Sequence, residues 1–173
     1  AFANPTLDYS TLCLMKEAGC ECLLYGMETG SDKINNIMKK HPSLKCMEKC
    51  LADSHMAGIQ NHCSIMVGYP HEDISDIRKT LRLIRRNRLY IDLMLCLRFT
   101  LNDGTFMSEN PSKYGIKIKK PISKHLPYTH KFDEIDGLNW EQKVKQSKMH
   151  LRLIGKELEV LKIRHIVKDE FRG

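Results

Sequence analysis

Apolar residues along this chain fall into short continuous runs, separated by stretches in which they recur at helical spacing. The runs "CECLLYG", "NHCSIMVG" and "IDLMLCLRF" are too short for buried helices, and each predicts a buried strand, over 21–26, 61–68 and 91–99. Ahead of the first run, Leu12 and Met15 mark a short helix over 9–18 that Gly19 can stop. Ser31 stands where it can cap a helix through "DKINNIMKK", with Asp32 in its first turn. Leu44, Met47 and Leu51 define a further helix face, ended at Gly58. Asp73 opens another helix, with Ile74, Ile77, Leu81 and Ile84 on one side and Arg78, Lys79, Arg82, Arg85 and Arg86 opposite.

The order helix, Ala-Gly, strand, glycine occurs twice, with the Ala-Gly pairs at 18–19 and 57–58. Strands buried on both faces and alternating with helices predict βα units in an α/β fold, with the three strands parallel and adjacent. Beyond residue 101 the pattern fails. Pro111, Pro121, Pro127 and the lysines of "KIKKPISK" predict a loop or linker over 109–137. Trp140, Val144, Ser147, Leu151, Ile154, Leu158 and Leu161 then follow a 4-3 spacing, so 138–173 reads as a C-terminal helical extension. Its narrow apolar stripe should dock on the sheet or on a neighbouring domain. The resulting division is 1–108, 109–137 and 138–173.

At 173 residues, 42% hydrophobic and 28% charged, the chain can bury a sizeable core. Its longest apolar run, residues 93–97, is far short of a membrane span, which argues against a membrane partner. "AFANPTLDYS" has no initiator Met and no signal segment, and reads as an internal start. Seven cysteines without a spaced framework point to free thiols and a cytoplasmic setting. Residues 1–72 carry six Lys/Arg against eight Asp/Glu, whereas the remainder carries 22 against 13, net +9. That excess fits solvated helix faces first. Nucleic acid is the lesser choice, because aromatic residues do not interleave with the basic ones.

Two strand ends carry candidate chemistry. "YGMETGSD" (25–32) and "VGYPHED" (67–73) each place a glycine and then a carboxylate between a strand and a helix. In parallel βα architectures ligands bind at the carboxyl ends of strands. Gly26 and Gly68 permit a sharp turn there. Glu28 and Glu72 can accept hydrogen bonds from hydroxyl or ammonium groups of a polar ligand, or else they favour the helix N-termini that follow. Cys46 and Cys50, in "CMEKCLAD", lie one helical turn apart and read as a buried helix face. A zinc site from His41, Cys46, Cys50 and His55 has allowed ligand types but no knuckle-like spacing.

"LMKEAGCECLLYGMETGSDKINNIMKK" followed by "MAGIQNHCSIMVGYPHEDISDIRKTLRLIRR" resembles the radical S-adenosylmethionine superfamily, in the branch that includes cobalamin-binding members. "FTLNDGT" resembles that branch's segment after its sixth strand, usually P-x-P-G-T, and the likeness covers about residues 7–115. The resemblance implies half of a partial (β/α)6 TIM-type barrel, strands 4 to 6, with the first three strands upstream as the missing N-terminal half. The family's Cys-x-x-x-Cys-x-x-Cys loop, which ligates a 4Fe–4S cluster, is absent from this chain. The implied enzyme cleaves S-adenosylmethionine reductively to a 5′-deoxyadenosyl radical, for hydrogen abstraction or methyl transfer on an unknown substrate. Cobalamin is a further cofactor in part of the branch, and a related branch modifies tRNA.

By position, Glu28, Thr29 and Gly30 match the segment that approaches the cofactor's ribose and methionine. Ser64, Met66 and Gly68 match the strand that lines the adenosyl site, with Glu72 closing its motif. Phe99, Thr100 and Leu101 match the segment that flanks the adenine. Leu101 and Asp103 replace two prolines, which should leave that loop less rigid. No catalytic residue and no metal ligand is expected within this chain. The alternative is a non-catalytic half-barrel that completes its sheet against another copy or subunit.

Overall fold

The structure, a computed structural model, describes residues 3–40, 43–123 and 125–168. The three expected strands form as β1 (Cys22–Glu28), β2 (Gln60–Val67) and β3 (Leu93–Arg98). β2 lies between β1 and β3 and is parallel to both, with Leu24 opposite His62 and His62 opposite Leu93. Each strand alternates deeply buried with partly covered residues, as a sheet covered by helices on one face must. Tyr25 and Met27, Cys63, Ile65 and Val67, and Met94 and Cys96 enter the main core.

Four helices alternate with these strands, α1 (Tyr9–Glu17), α2 (Asp32–Met38), α3 (Leu44–Met56) and α4 (Ile74–Arg86); α3 and α4 enter that core, joined later in the chain by a long sixth helix. Their ends are set locally. Asp8, Ser43 and Asp73 accept backbone N–H groups at the N-termini of α1, α3 and α4, and Asp76 returns the bond to Asp73 N in a capping box. The two Ala-Gly pairs end α1 and α3, with Gly19 and Gly58 at φ +94° and +76°. The buried side of α4 is rotated from the expected one: Ile77, Thr80, Leu83 and Ile84 are buried, and Ile74 is exposed.

The residues from 101 to 137 correct the linker expected over 109–137. They form β4 (Leu101–Asn102), the short helix α5 (Phe106–Glu109), β5 (Ile116–Ser123) and β6 (Leu126–Glu134), with β6 antiparallel between β4 and β5. Pro121 is tolerated because β5 is an edge strand, and the register shifts on either side of it. The loop after β3 is held rather than loosened. Leu101 and Asn102 pair with His130 and Thr129, Asp103 N donates to Tyr128 O at 2.9 Å, and His130 Nε2 lies 2.5 Å from Asp103 Oδ1.

The expected helical extension is also corrected. Helix α6 (Trp140–Val160) ends before β7 (Arg164–Lys168), which adds to the first sheet as a fourth parallel strand beside β3. Leu151, Ile154 and Leu158 bring α6 onto the main core, as its stripe predicts. A second core, of Ile34, Tyr69, Leu101, Met107, Ile116, Phe132 and Trp140, joins the antiparallel sheet to the C-terminal ends of the parallel strands. Edge-to-face contacts run through it from Tyr69 to Phe99, Phe132 and Trp140, with centroids 5.0–5.9 Å apart. The helices and parallel sheet are therefore those of a partial TIM-type α/β fold, with a hairpin seated over one end. No helix among the described residues is long and apolar enough to cross a membrane.

Candidate functional site

At the end of β1 the ladder to β2 slips: Gly26 pairs with Ser64, and Glu28 with the very next residue, Ile65. The extra residue is a β-bulge. Thr29 N donates back to Met27 O at 2.7 Å, closing a three-residue turn with Glu28 at its apex, at φ +57°. A left-handed glutamate costs about 1–2 kcal/mol, which the surrounding contacts must offset. The Glu28 side chain is 14% exposed, and its Oε1 lies 3.1 Å from Lys40 Nζ. Gly26 makes room for this pair, because a Cβ there would stand 2.5 Å from Oε1 and 3.0 Å from Nζ.

The next three residues turn away from Glu28 and fasten to α4. Gly30 N donates to Thr80 Oγ1 at 2.8 Å, and a Cβ at Gly30 would strike the backbone of Lys79 and Thr80. Ser31 N donates to Thr29 Oγ1, while the Ser31 hydroxyl donates to Asp76 Oδ1 at 2.6 Å. Lys33 Nζ reaches Asp76 at 2.5 Å and His71 O at 2.9 Å. Burial pushes the Asp76 carboxyl up, but the Lys33 and Ser31 hydrogen bonds outweigh it and hold the group below the usual carboxylate range. Thr29 and Gly30 thus fasten the loop to α4.

At the end of β2, Gly68 has φ +84°, and a Cβ on it would fall on Ser147 of α6. Its N–H donates to Glu72 Oε2 at 2.6 Å. Glu72 is turned into the protein, 3% exposed, with the fully buried His150 of α6 at 3.6 Å. Nearby, Glu134 of β6 accepts from His71 N and from Lys143 Nζ, both at 2.6 Å, and from Leu138 N at 3.0 Å. Burial raises the Glu134 carboxyl, and those three donors bring it below its ordinary range. The loop after β2 is therefore clamped by β6 and α6.

A cleft of about 250 Å³ opens at the C-terminal ends of β1–β3. It unites five of the ten expected site residues: Glu28, Met66, Phe99, Thr100 and Leu101. Thr29, Gly30, Gly68 and Glu72 build the loops beside it, and Ser64 lies one strand pitch back, opposite Gly26 and Leu95. The remaining wall was not expected from sequence. Met38 and Lys40 come from the end of α2, Tyr69 from the loop after β2, and Thr105, Met107 and Tyr114 from the segment between β4 and β5. An apolar and aromatic lining with one carboxylate–ammonium pair suits a small ligand having an apolar ring and hydroxyl groups.

The cysteines lie elsewhere. All seven are free thiols, and Cys50 is buried on α3 with Sγ toward the carbonyls of Asn4 and Leu7. Burial pushes its thiol up to about 11, opposite to what a thiolate ligand needs. Among the described residues no group of three His, Cys, Asp or Glu could hold a metal ion. His41, a member of the zinc reading, lies outside the described residues. The sequence model of the Radical SAM superfamily matches residues 2–84. No curated protein matches the chain.

Proposed function

Residues 2–84 belong to the Radical SAM superfamily, and from that premise we propose that the cleft at the ends of β1–β3 binds the adenosyl part of S-adenosylmethionine. One observation carries the reading: a glutamate held in a left-handed turn shares a cleft with Met66, Phe99 and Leu101, at the carboxyl ends of parallel strands. Glu28 accepts hydrogen bonds from ribose hydroxyls or the ammonium. Met66 and Phe99 offer apolar surface to the adenine, and Thr100 and Leu101 flank it with backbone groups. Bound there, S-adenosylmethionine supplies radical chemistry for hydrogen abstraction or methyl transfer on a substrate held by other parts of the enzyme.

A 4Fe–4S cluster does not fit the residues described. In the superfamily three thiolates of one loop hold it, whereas Cys46 and Cys50 share one helix face and Cys50 is buried. On this reading the cluster is held by thiolates outside these residues, and cobalamin belongs to the same wider enzyme. The open face of the parallel sheet supports that wider barrel. Leu24 and Ile166 on it are 49% and 46% exposed, although parallel sheets are ordinarily covered on both sides. Further barrel strands are the preferred cover, and a second copy of the chain the alternative. The free thiols fit a cytoplasmic setting.

The test is titration of the chain with S-adenosylmethionine and S-adenosylhomocysteine, followed by NMR. Saturable shifts at Glu28, Met66 and Phe99 are expected. Glu28→Ala should weaken binding roughly 10- to 150-fold, the value of a charge-assisted hydrogen bond of about 1.5–3 kcal/mol. Shifts confined to residues away from the cleft would sink the assignment.

A further inference from the structure

We propose that Lys40 is a positioning residue, which holds the Glu28 carboxylate in the orientation that selects a ligand carrying ribose hydroxyls. The inference rests on the adenosyl reading of the cleft and adds a residue that no sequence motif marks. Three independent features of the backbone converge on one ion pair. The first is the bulge and three-residue turn that put Glu28 at φ +57°. The second is Gly26, whose missing Cβ leaves the space that Glu28 Oε1 and Lys40 Nζ occupy.

The third feature is the end of α2. Lys39 is left-handed, at φ +51°, and Lys40 N donates back to Asn35 O at 3.4 Å, so the chain reverses just where Lys40 must reach toward β1. Asn35 itself is buried. Two non-glycine residues therefore take a backbone conformation that costs free energy, and both deliver partners of the same contact. A solvated surface pair would need neither.

Lys40 engages Oε1 at 3.1 Å, and no described residue engages Oε2. Both residues line the cleft. With one oxygen tied and the side chain 14% exposed, the carboxylate is held in one rotamer. Its second oxygen is then available to a vicinal diol without a search through rotamers, which is what preorganisation contributes to binding. Without Lys40 the carboxylate turns freely, and the selection for hydroxyls falls while the apolar contacts to the ring persist.

The experiment compares adenosine with 2′,3′-dideoxyadenosine, titrated against residues 1–173 as wild type, Lys40→Met and Lys40→Arg. The wild type should prefer adenosine by about tenfold. Lys40→Met should lose that preference, with adenosine weakened to the level of the dideoxy compound and the dideoxy affinity unchanged. Lys40→Arg, which keeps a cation within reach, should retain most of it. An unaltered preference in Lys40→Met overturns the inference. Equal weakening of both nucleosides overturns it too, because a general disturbance of the cleft would do that. If the wild type binds neither nucleoside, the adenosyl reading fails and the inference falls with it. If the wild type binds both equally, the diol contact alone is refuted.

Discussion

The loops after β1 and β2 begin alike, each with a glycine shortly before a glutamate, and they send the two carboxylates in opposite directions. After β1 only one residue separates Gly26 from Glu28, and a bulge with a left-handed turn brings Glu28 to the wall of the cleft. After β2 three residues intervene, the chain closes a wider turn from Tyr69 O to Glu72 N, and the carboxylate folds back onto Gly68 N. The partners differ accordingly. Glu28 meets a half-exposed lysine, whereas Glu72 sits beneath α6 beside a buried histidine. One carboxylate lines the cleft, and the other holds the loop that forms the neighbouring wall. A carboxylate after a strand-end glycine thus faces a cleft only where the backbone leaves it an open side.

The largest expected effect breaks the clamp on the β2 loop. Lys143 and Glu134 form an ion pair with side chains 3% and 5% exposed. Lys143→Met leaves a buried carboxylate unpaired and should cost about 3–5 kcal/mol in urea unfolding, with Glu134→Gln in the same chain recovering much of it. A loss below about 1 kcal/mol would mean that the clamp is not built on this pair. The same group sets an acid limit. Its folded pKa is depressed, so its contribution is fully present above the ordinary value of 4.5 and is lost as pH falls through the lower folded value. Glu134→Gln should flatten the acid limb of a stability–pH curve between about pH 5 and 2.

Next in size is Glu72→Ala. It leaves the buried Gly68 N–H without its acceptor and should cost about 1–3 kcal/mol, read as a lowered urea midpoint. Adenosine affinity of the protein that remains folded should hold. A folded Glu72→Ala protein with full stability and lost affinity would reverse the roles assigned to the two glutamates.

The smallest effect sharpens the comparison from the other side. Glu28→Gly removes the left-handed strain at φ +57°, and against the greater entropy of glycine in the unfolded chain it should gain up to about 0.5–1 kcal/mol. Adenosine binding should fall together with this gain. A stability loss instead would show that Glu28 serves the fold, as Glu72 does.

The α/β class, the three parallel strands and the helix ends that set their order follow from local rules. Continuous apolar runs, capping residues such as Ser43 and Asp73, and the repeated Ala-Gly stops act within a few positions of themselves. The hairpin of β5 and β6 escaped such rules because its prolines and lysines resemble a linker. Pro121 is admissible only once β5 is known to lie at an edge, and the order β4-β6-β5 that puts it there is set by tertiary pairing. β7 was hidden for a similar reason: "RHIVK" carries no strong alternation, and its pairing with β3 is secured by α6 returning across the sheet.

The site divides along the same line. Glycine, glutamate and apolar residues at strand ends were legible in the chain, because a strand's end is a local event. Which of them share a cleft was not, since that depends on one bulged residue in β1, on the segment between β4 and β5 that carries Met107 and Tyr114, and on the return of Lys40 from the end of α2. Side chains that meet across nine or more residues from different elements are brought together by the packing of those elements. No periodicity or cap in the sequence records that distance, and so Lys40, Lys143 and His150 become visible only in the folded chain.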